Sequence, residues 1–135
     1  MTRWVVDGMN VIGSRPTGWW HDRPGAMRDL VYRLGKLDEP VTVIFDGRPF
    51  EIDEPGDVDV RFASRGGRNA ADDDIAALVA ADADPASLVV VTSDATLVDR
   101  VAAAGGRAVG AGEFRRRLDA IAGQEDDGGG RSSAA

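Results

Sequence analysis

The sequence predicts an α/β domain built on a mostly parallel sheet with helices on both of its faces. Short apolar runs alternate with segments of helical periodicity, and a length of 135 residues suits one domain. Two of the apolar runs end directly at an aspartate. Because ligands bind at the carboxyl ends of the strands in such sheets, the residues that follow each strand are the first candidates for function.

Five strands are expected, at residues 4–6, 41–45, 58–63, 88–91 and 107–109. The first two are apolar and each is followed by an Asp-Gly pair, which is typical of a turn. The third alternates apolar with polar residues, as in a strand near the sheet edge. The fourth is the most hydrophobic and is expected to be a central strand of the sheet. Strands two and three are joined only by residues 46–57, which is close to the shortest connection that lets neighbouring strands run parallel. The third strand could therefore also be antiparallel to the second.

Four helices are expected between and after these strands. Pro24 lies in the first turn of one helix, whose apolar residues repeat at helical spacing as far as Leu37. Asn69 is a candidate N-cap for the second helix and Asp94 for the third. The fourth helix ends at Gly123, where a glycine stop is common. The resulting order is β-α-β-β-α-β-α-β-α.

The composition indicates the extent of the domain, the available metal ligands and the location of the protein. Residues 1–123 form the expected domain, and residues 124–135 have no apolar residue larger than alanine, so this tail is expected to be disordered. Cysteine is absent and His21 is the single histidine, which leaves carboxylates as the metal ligands. We find neither a signal peptide nor an apolar run of membrane-spanning length, so a cytoplasmic protein without membrane association is expected.

The charge balance bears on nucleic-acid binding. A net charge of -7 argues against a protein that coats nucleic acid without specificity, because phosphate binding requires a basic surface. Arginines nevertheless cluster, at Arg61, Arg65 and Arg68 and again at residues 115–117. Local basic patches of this kind can act within an acidic protein.

The positions of the aspartates are the most informative feature. Asp7, Asp46 and Asp94 each follow an apolar strand, so they are expected at one edge of the sheet. Asp72 shares the inward face of its helix with the apolar stripe and lies beside the same edge, whereas Asp73 is a weaker candidate. Carboxylates brought together in this way are suitable ligands for Mg2+ or Mn2+.

Each acid also has a simpler interpretation. An Asp-Gly pair is ordinary turn chemistry, Asp94 is a good helix cap worth about 1 kcal/mol, and Asp72 suits the helix dipole at roughly 0.3–1 kcal/mol. The coincidence of all of them at one sheet edge favours a metal site. Asn10 either orients a carboxylate of that site or is a turn residue.

Residues outside the acidic group could contact RNA. Trp19 and Trp20 either stack on unpaired bases or fold over the first helix, and the neighbouring His21 is a candidate for stacking or proton transfer or a surface-loop residue. Arg65 and Arg68 lie in a Gly-rich loop just before Asp72 and either hold phosphates or are solvated.

Residues 5–12, Val-Val-Asp-Gly-Met-Asn-Val-Ile, resemble the Asp-Gly-x-Asn-Val-Ile opening of the NYN domain family, in particular its YacP-like branch. The match continues at residues 43–47, 62–63, 71–75 and 90–94. These motifs are short individually, but their order and spacing across residues 4–118 are fairly specific.

The resemblance implies a PIN-like α/β/α fold with five strands in the order 3-2-1-4-5, and a Mg2+- or Mn2+-dependent ribonuclease site. It assigns that site to Asp7, Asn10, Asp46, Asp72 and Asp94. Many relatives carry a further acid two residues after the last of these, but Thr96 stands there in this chain.

An endoribonuclease acting on RNA, with tRNA, rRNA or the ribosome as candidate partners, is therefore the function we expect. The rival is an RNA-binding or ribosome-associated module that keeps the fold without cutting. The sequence contains neither a phosphate-binding P-loop nor the Gly-x-Ser-x-Gly motif of serine hydrolases.

Overall fold

The protein is described by a computed structural model that covers residues 2–15, 18–67 and 69–121. Its five strands are β1 (Arg3–Asp7), β2 (Val41–Phe45), β3 (Val58–Phe62), β4 (Leu88–Val91) and β5 (Arg107–Val109). They form one parallel sheet in the order β3-β2-β1-β4-β5. The expected α/β class and strand order are confirmed.

The helices are α1 (Gly8–Gly13), α2 (Arg23–Leu34), α3 (Ala70–Ala81), α4 (Ala95–Ala103) and α5 (111–121). Short 3-10 turns occur at Trp19–His21 and Pro85–Ser87. The first helical segment predicted from Pro24 begins as expected, but it ends three residues before Leu37, which instead packs against the core from the following loop.

Helix α1 was not predicted, because Asp7 and Gly8 were interpreted as a turn. The chain instead passes from the last residue of β1 straight into the helix. A Cβ atom on Gly8 would lie 2.4 Å from the ring of Phe45 and 3.2 Å from the carbonyl oxygen of Ile44. Glycine at this position therefore allows α1 to approach β2 closely.

The sheet separates two apolar layers because neighbouring residues of a strand point to opposite faces. Val6 lies in the layer shared with α1, α2 and α5, and Val5 in the layer shared with α3 and α4. Both side chains are almost fully buried. The result is a three-layer α/β/α sandwich whose helices leave the carboxyl edge of the sheet available for a site.

The third strand is parallel to the second, which settles the direction that the sequence left open. The connection between them contains no helix, and Phe50 within it packs against Phe62 with ring centroids 5.7 Å apart. β3 forms an edge of the sheet, as its alternating pattern predicted. β4 lies inside the sheet, paired with β1 on one side and β5 on the other, as its hydrophobic sequence predicted.

Asn69 does not cap α3 through its side chain, contrary to our expectation. Its backbone has a φ of 64°, in the left-handed region that asparagine tolerates better than most residues. The predicted tail at 124–135, and the end of the domain at 122–123, lie outside the described residues. Across the described part of the chain, no helix has the length and apolar character needed to cross a membrane.

Candidate active site

Four aspartates from four different elements lie at the carboxyl edge of the sheet. Asp7 ends β1, Asp46 directly follows β2, Asp94 precedes α4 and Asp72 lies in the first turn of α3. Electrostatic repulsion from Asp72 and Asp46 contributes to a raised pKa at Asp7, and repulsion from Asp94 and Asp46 to a raised pKa at Asp72. The structure therefore brings the four acids into one interacting group.

Asp7 is the most perturbed member of this group. Its side chain is only 5% exposed, and burial is the largest cause of a pKa raised to about 7, followed by repulsion from Asp72. A hydrogen bond of 3.1 Å from the Thr92 hydroxyl to Oδ2 of Asp7 opposes the shift. A positive charge beside this carboxyl group would favour its ionised form.

Asp72 is half-buried, and burial is again the first cause of its raised pKa. Repulsion from Asp94 and Asp46 adds to the shift, while Arg100 partly offsets it. The helical face that carries Asp72 also carries the buried Ile75 and thus faces the sheet, as the sequence predicted.

Asp46 supplies the cap that Asn69 does not. Its Oδ1 accepts a hydrogen bond of 3.0 Å from the backbone N–H of Ala71, in the first turn of α3. Because Asp72 is the next residue, this contact fixes the position of one acid relative to another. Arg23 also donates a hydrogen bond of 2.8 Å to the carbonyl oxygen of Asp46.

Thr92 connects two of the acids and was not identified as a site residue from the sequence. Its Oγ1 donates to Asp7 and accepts a 3.2 Å hydrogen bond from the backbone N–H of Asp94. The side chain of Thr92 is buried, and its hydrogen bond to Asp7 is shielded from water. The signal was present in the Thr-x-Asp segment, but only the neighbouring strands reveal that the hydroxyl reaches Asp7.

Asp94 caps α4, as predicted, by accepting a 3.0 Å hydrogen bond from the N–H of Leu97 at Oδ1. The cap engages one oxygen of the carboxylate, so it does not exclude a second role. Asn10 accepts a 2.8 Å hydrogen bond from the backbone N–H of Ser93. It lies within α1 and not in a turn, and it joins that helix to the loop that carries Asp94.

The two acids after Asp72 turn away from the group. Asp73 pairs with Arg65 and with Arg100, whose Nη1 lies 2.8 Å from Oδ1, and these two arginines hold the pKa of Asp73 below its usual range. Asp74 accepts hydrogen bonds from the backbone and hydroxyl of Ser64. Asp73 therefore holds two arginines, Arg65 and Arg100, beside the acidic group.

The predicted RNA-contacting residues occupy different surroundings. Trp20 is 58% exposed and packs edge-on against Trp19 at a centroid distance of 5.9 Å. Trp19 is half-buried against α1 and α2, whereas His21 is exposed and lies against Trp20. Arg68 lies outside the described residues.

The carboxylates of the acidic group do not form a ready metal-binding site in this structure. Among residues 2–15, 18–67 and 69–121, no three acidic or histidine side chains are arranged so that they could hold a metal between them. Asp46 and Asp94 each use an oxygen on a backbone N–H. The acids are close enough to repel one another, yet each is held by its own local contacts.

Two solved structures resemble this chain. It matches the crystal structure of Rae1 (YacP) from Bacillus subtilis with a TM-score of 0.78 and 22% identity, over 99% of this chain and 83% of that one. The W164L mutant of the same protein gives a TM-score of 0.75 and 24% identity, over 94% and 80% of the two chains. No protein-family model matches the sequence, and a search of curated proteins found no match. At this level of identity the comparison establishes that the chain shares the α/β fold of the YacP structures.

Proposed function

We propose that this protein is a YacP-like member of the NYN family and acts in the cytoplasm as a metal-dependent endoribonuclease. The observation that carries the proposal is the group of four mutually repelling aspartates at the carboxyl edge of the sheet, with the pKa of Asp7 raised to about 7. Buried carboxylates with perturbed pKa values are enriched at functional sites. The shared fold with the YacP structures supports the same conclusion.

The donor chemistry fits Mg2+ or Mn2+. Asp7, Asp72 and Asp94 would hold the ion, with Asp46 beside them, because carboxylate oxygens are the hard ligands that both ions prefer. A divalent ion would also relieve the repulsion that raises the pKa of Asp7 and Asp72. When bound, it would supply Lewis acidity toward the phosphodiester and the attacking water.

The remaining site residues would keep the acids in place. Thr92 donates to Asp7 and restricts the rotation of its carboxyl group. Asn10 ties α1 to the backbone of Ser93, which positions the loop that carries Asp94. These contacts reduce the reorganisation that binding of an ion and substrate requires.

RNA would approach across an uneven electrostatic surface. Arg65 and Arg100 lie beside the acids on the α3 and α4 side, and Arg23 lies beside them on the α2 side. Trp20 offers an exposed ring in the turn that precedes Arg23, suited to stacking on an unpaired base. This arrangement supports a polyanionic substrate despite the net charge of -7.

A second candidate is an RNA-binding or ribosome-associated module that does not cut. It is favoured by the lack, within the described residues, of three acids arranged to hold a metal, and by Thr96 where many relatives have an acid. Incubation of purified protein with structured RNAs, including tRNA and rRNA fragments, in Mn2+, Mg2+ or EDTA separates the two. Metal-dependent cleavage supports the nuclease, and binding without cleavage in any metal supports the module.

A further inference from the structure

A second concave feature lies on the sheet face covered by α1, α2 and α5. It is an open pocket of about 100 Å3, formed where these helices meet the turn that carries Trp19. A site for one water needs about a tenth of this volume, so the pocket has room for a group of several heavy atoms. None of the four aspartates of the candidate active site lines it.

The pocket has an apolar floor and an aromatic wall. Val11, Leu30 and Leu118 form much of the floor, and all three are buried core residues. Trp19 also lines the pocket and is partly exposed. Apolar and aromatic surroundings suit a planar ring better than a hydrated ion.

Three arginines and two aspartates line the same pocket. Arg33 pairs with Asp29 at 3.0 Å and with Asp119 at 3.5 Å, and Arg15 also pairs with Asp119. Arg115 has no acidic partner among the described residues. The lining thus has a surplus positive charge in a chain whose net charge is -7.

The polar contacts of Arg115 are incomplete. One guanidinium nitrogen, Nη1, donates a hydrogen bond of 3.2 Å to the carbonyl oxygen of Ser14. Its Nε is buried and has no hydrogen-bond partner among the described residues. Buried donors are rarely left unpaired, because an unpaired donor costs folding free energy, so this nitrogen is a candidate for an external acceptor.

The pocket is close to the acidic group along the chain. Val11 lies four residues after Asp7, about one turn along α1. Trp19 belongs to the turn just before Arg23, which contacts the carbonyl oxygen of Asp46. A strand of RNA that crosses the carboxyl edge could therefore place a neighbouring nucleotide at the pocket.

We propose that this pocket binds one unstacked nucleobase of single-stranded RNA, with Trp19 as its stacking surface and Arg115 as a contact to the polar edge or the adjoining phosphate. Proteins recognise a splayed base with an aromatic surface, apolar contacts and free polar groups, which here are Trp19, the apolar lining and the Nε of Arg115. The proposal rests on the proposed function, because it places a nucleotide-binding subsite beside the nuclease centre.

Binding of labelled single-stranded hexanucleotides, measured by fluorescence anisotropy in EDTA, tests the proposal without cleavage. Ala26→Phe should fill the pocket from α2 and Arg115→Met should remove the unpaired group, each with a loss of affinity of about five- to a hundredfold. Arg116→Met is the matched control, since it removes the same charge from an exposed neighbouring position. It should keep affinity within about threefold of the wild type.

A direct contact gives a second readout. In a Trp20→Phe protein, Trp19 is the one partly exposed tryptophan that remains, because Trp4 is buried, and RNA should quench its fluorescence. Arg115→Met should shift that quenching to RNA concentrations about five- to a hundredfold higher than the parent requires. Melting curves of each variant identify any loss of folding, and the Arg115→Met protein then decides the question if Ala26→Phe does not fold.

Wild-type affinity in Arg115→Met, or an equal loss in Arg116→Met, would overturn the pocket assignment. Equal competition by duplex RNA would overturn it as well, because a paired base cannot enter. The nuclease proposal fails separately, because binding of the hexanucleotides in EDTA needs neither a bound metal nor cleavage. A wild type that loses affinity in Arg115→Met but cleaves no RNA in Mn2+ or Mg2+ would contradict the nuclease proposal alone.

Discussion

The Thr92 hydroxyl lies 3.1 Å from Oδ2 of Asp7, and this buried hydrogen bond joins the ends of two adjacent parallel strands. The Oγ1 atom of Thr92 also accepts a hydrogen bond from the backbone N–H of Asp94, so one hydroxyl connects the carboxylate of Asp7 with the backbone of Asp94. The contact favours the ionised form of Asp7, but burial and the neighbouring charges outweigh it. Folding thus holds like charges close together at the carboxyl edge of the sheet.

This arrangement makes the stability of the metal-free protein pH-dependent. The pKa of Asp7 is raised from 3.8 to about 7 in the folded state, so the folded protein binds more protons than the unfolded chain between these values. The contribution of Asp7 to the free energy of unfolding should therefore fall as pH rises from about 4 to about 7, by at most about 4 kcal/mol.

Asp7→Asn removes this titration and should be more stable than the wild type in EDTA at pH 8, with the difference disappearing near pH 4. Urea unfolding of both proteins across this range measures it. A variant that is less stable at pH 8 would show that the ionised carboxylate has a structural role.

Divalent cations should stabilise the folded protein. An ion held by the acids binds the native state alone, so a hundredfold excess over its Kd adds about 2.7 kcal/mol and raises Tm by several degrees. Thermal unfolding in increasing Mn2+ measures the shift, and Asp7→Asn should abolish most of it. The absence of any shift at millimolar Mn2+ would remove the metal site from the account.

Asp46 should show its capping role in a comparison of two substitutions. Asp46→Asn and Asp46→Ala both remove the charge, but asparagine keeps an oxygen that can accept from Ala71. Asp46→Ala should therefore be less stable than Asp46→Asn by about 1 kcal/mol in denaturant unfolding. Equal stabilities would mean that the cap contributes nothing to the start of α3.

Arg65 should contribute to RNA binding through charge. Its guanidinium pairs with Asp73 beside the acidic group, where a phosphate could compete for it. Arg65→Ala should weaken binding similarly for different RNA sequences and lower the slope of log K against log salt by about one. Arg61→Ala is the matched control, because Arg61 is also exposed but pairs with Asp59 on β3. An unchanged slope in Arg65→Ala would exclude this arginine from the RNA contact.

Local patterns were sufficient to predict the strands, the order of the elements apart from α1, and the edge at which Asp7, Asp46 and Asp94 lie. They failed where the outcome depends on contacts between distant segments. The Asp-Gly pair at residue 7 is followed by a helix because Gly8 can pack against Phe45, which no local pattern reveals.

The same limit applies to the residue that caps α3. Asn69 has the residue type of a helix cap, but Asp46 takes that role from a different strand. The direction of β3 was left open because residues 46–57 are close to the shortest connection that allows parallel strands. Within this connection, Phe50 packs against Phe62 of β3. Thr92 was missed as a site residue because its importance comes from its approach to Asp7.

Cleavage of RNA by the wild type and by Asp94→Asn tests the central claim most directly. Asparagine keeps the oxygen that caps α4, so the variant should fold with a Tm close to that of the wild type in EDTA. The loss of a carboxylate from the acidic group should lower the rate in Mn2+ by at least about a hundredfold. Cleavage of a structured RNA by both proteins, with matched melting curves, is the measurement. We predict metal-dependent cleavage by the wild type and almost none by Asp94→Asn, whereas equal cleavage by the two would contradict a catalytic role for the acidic group.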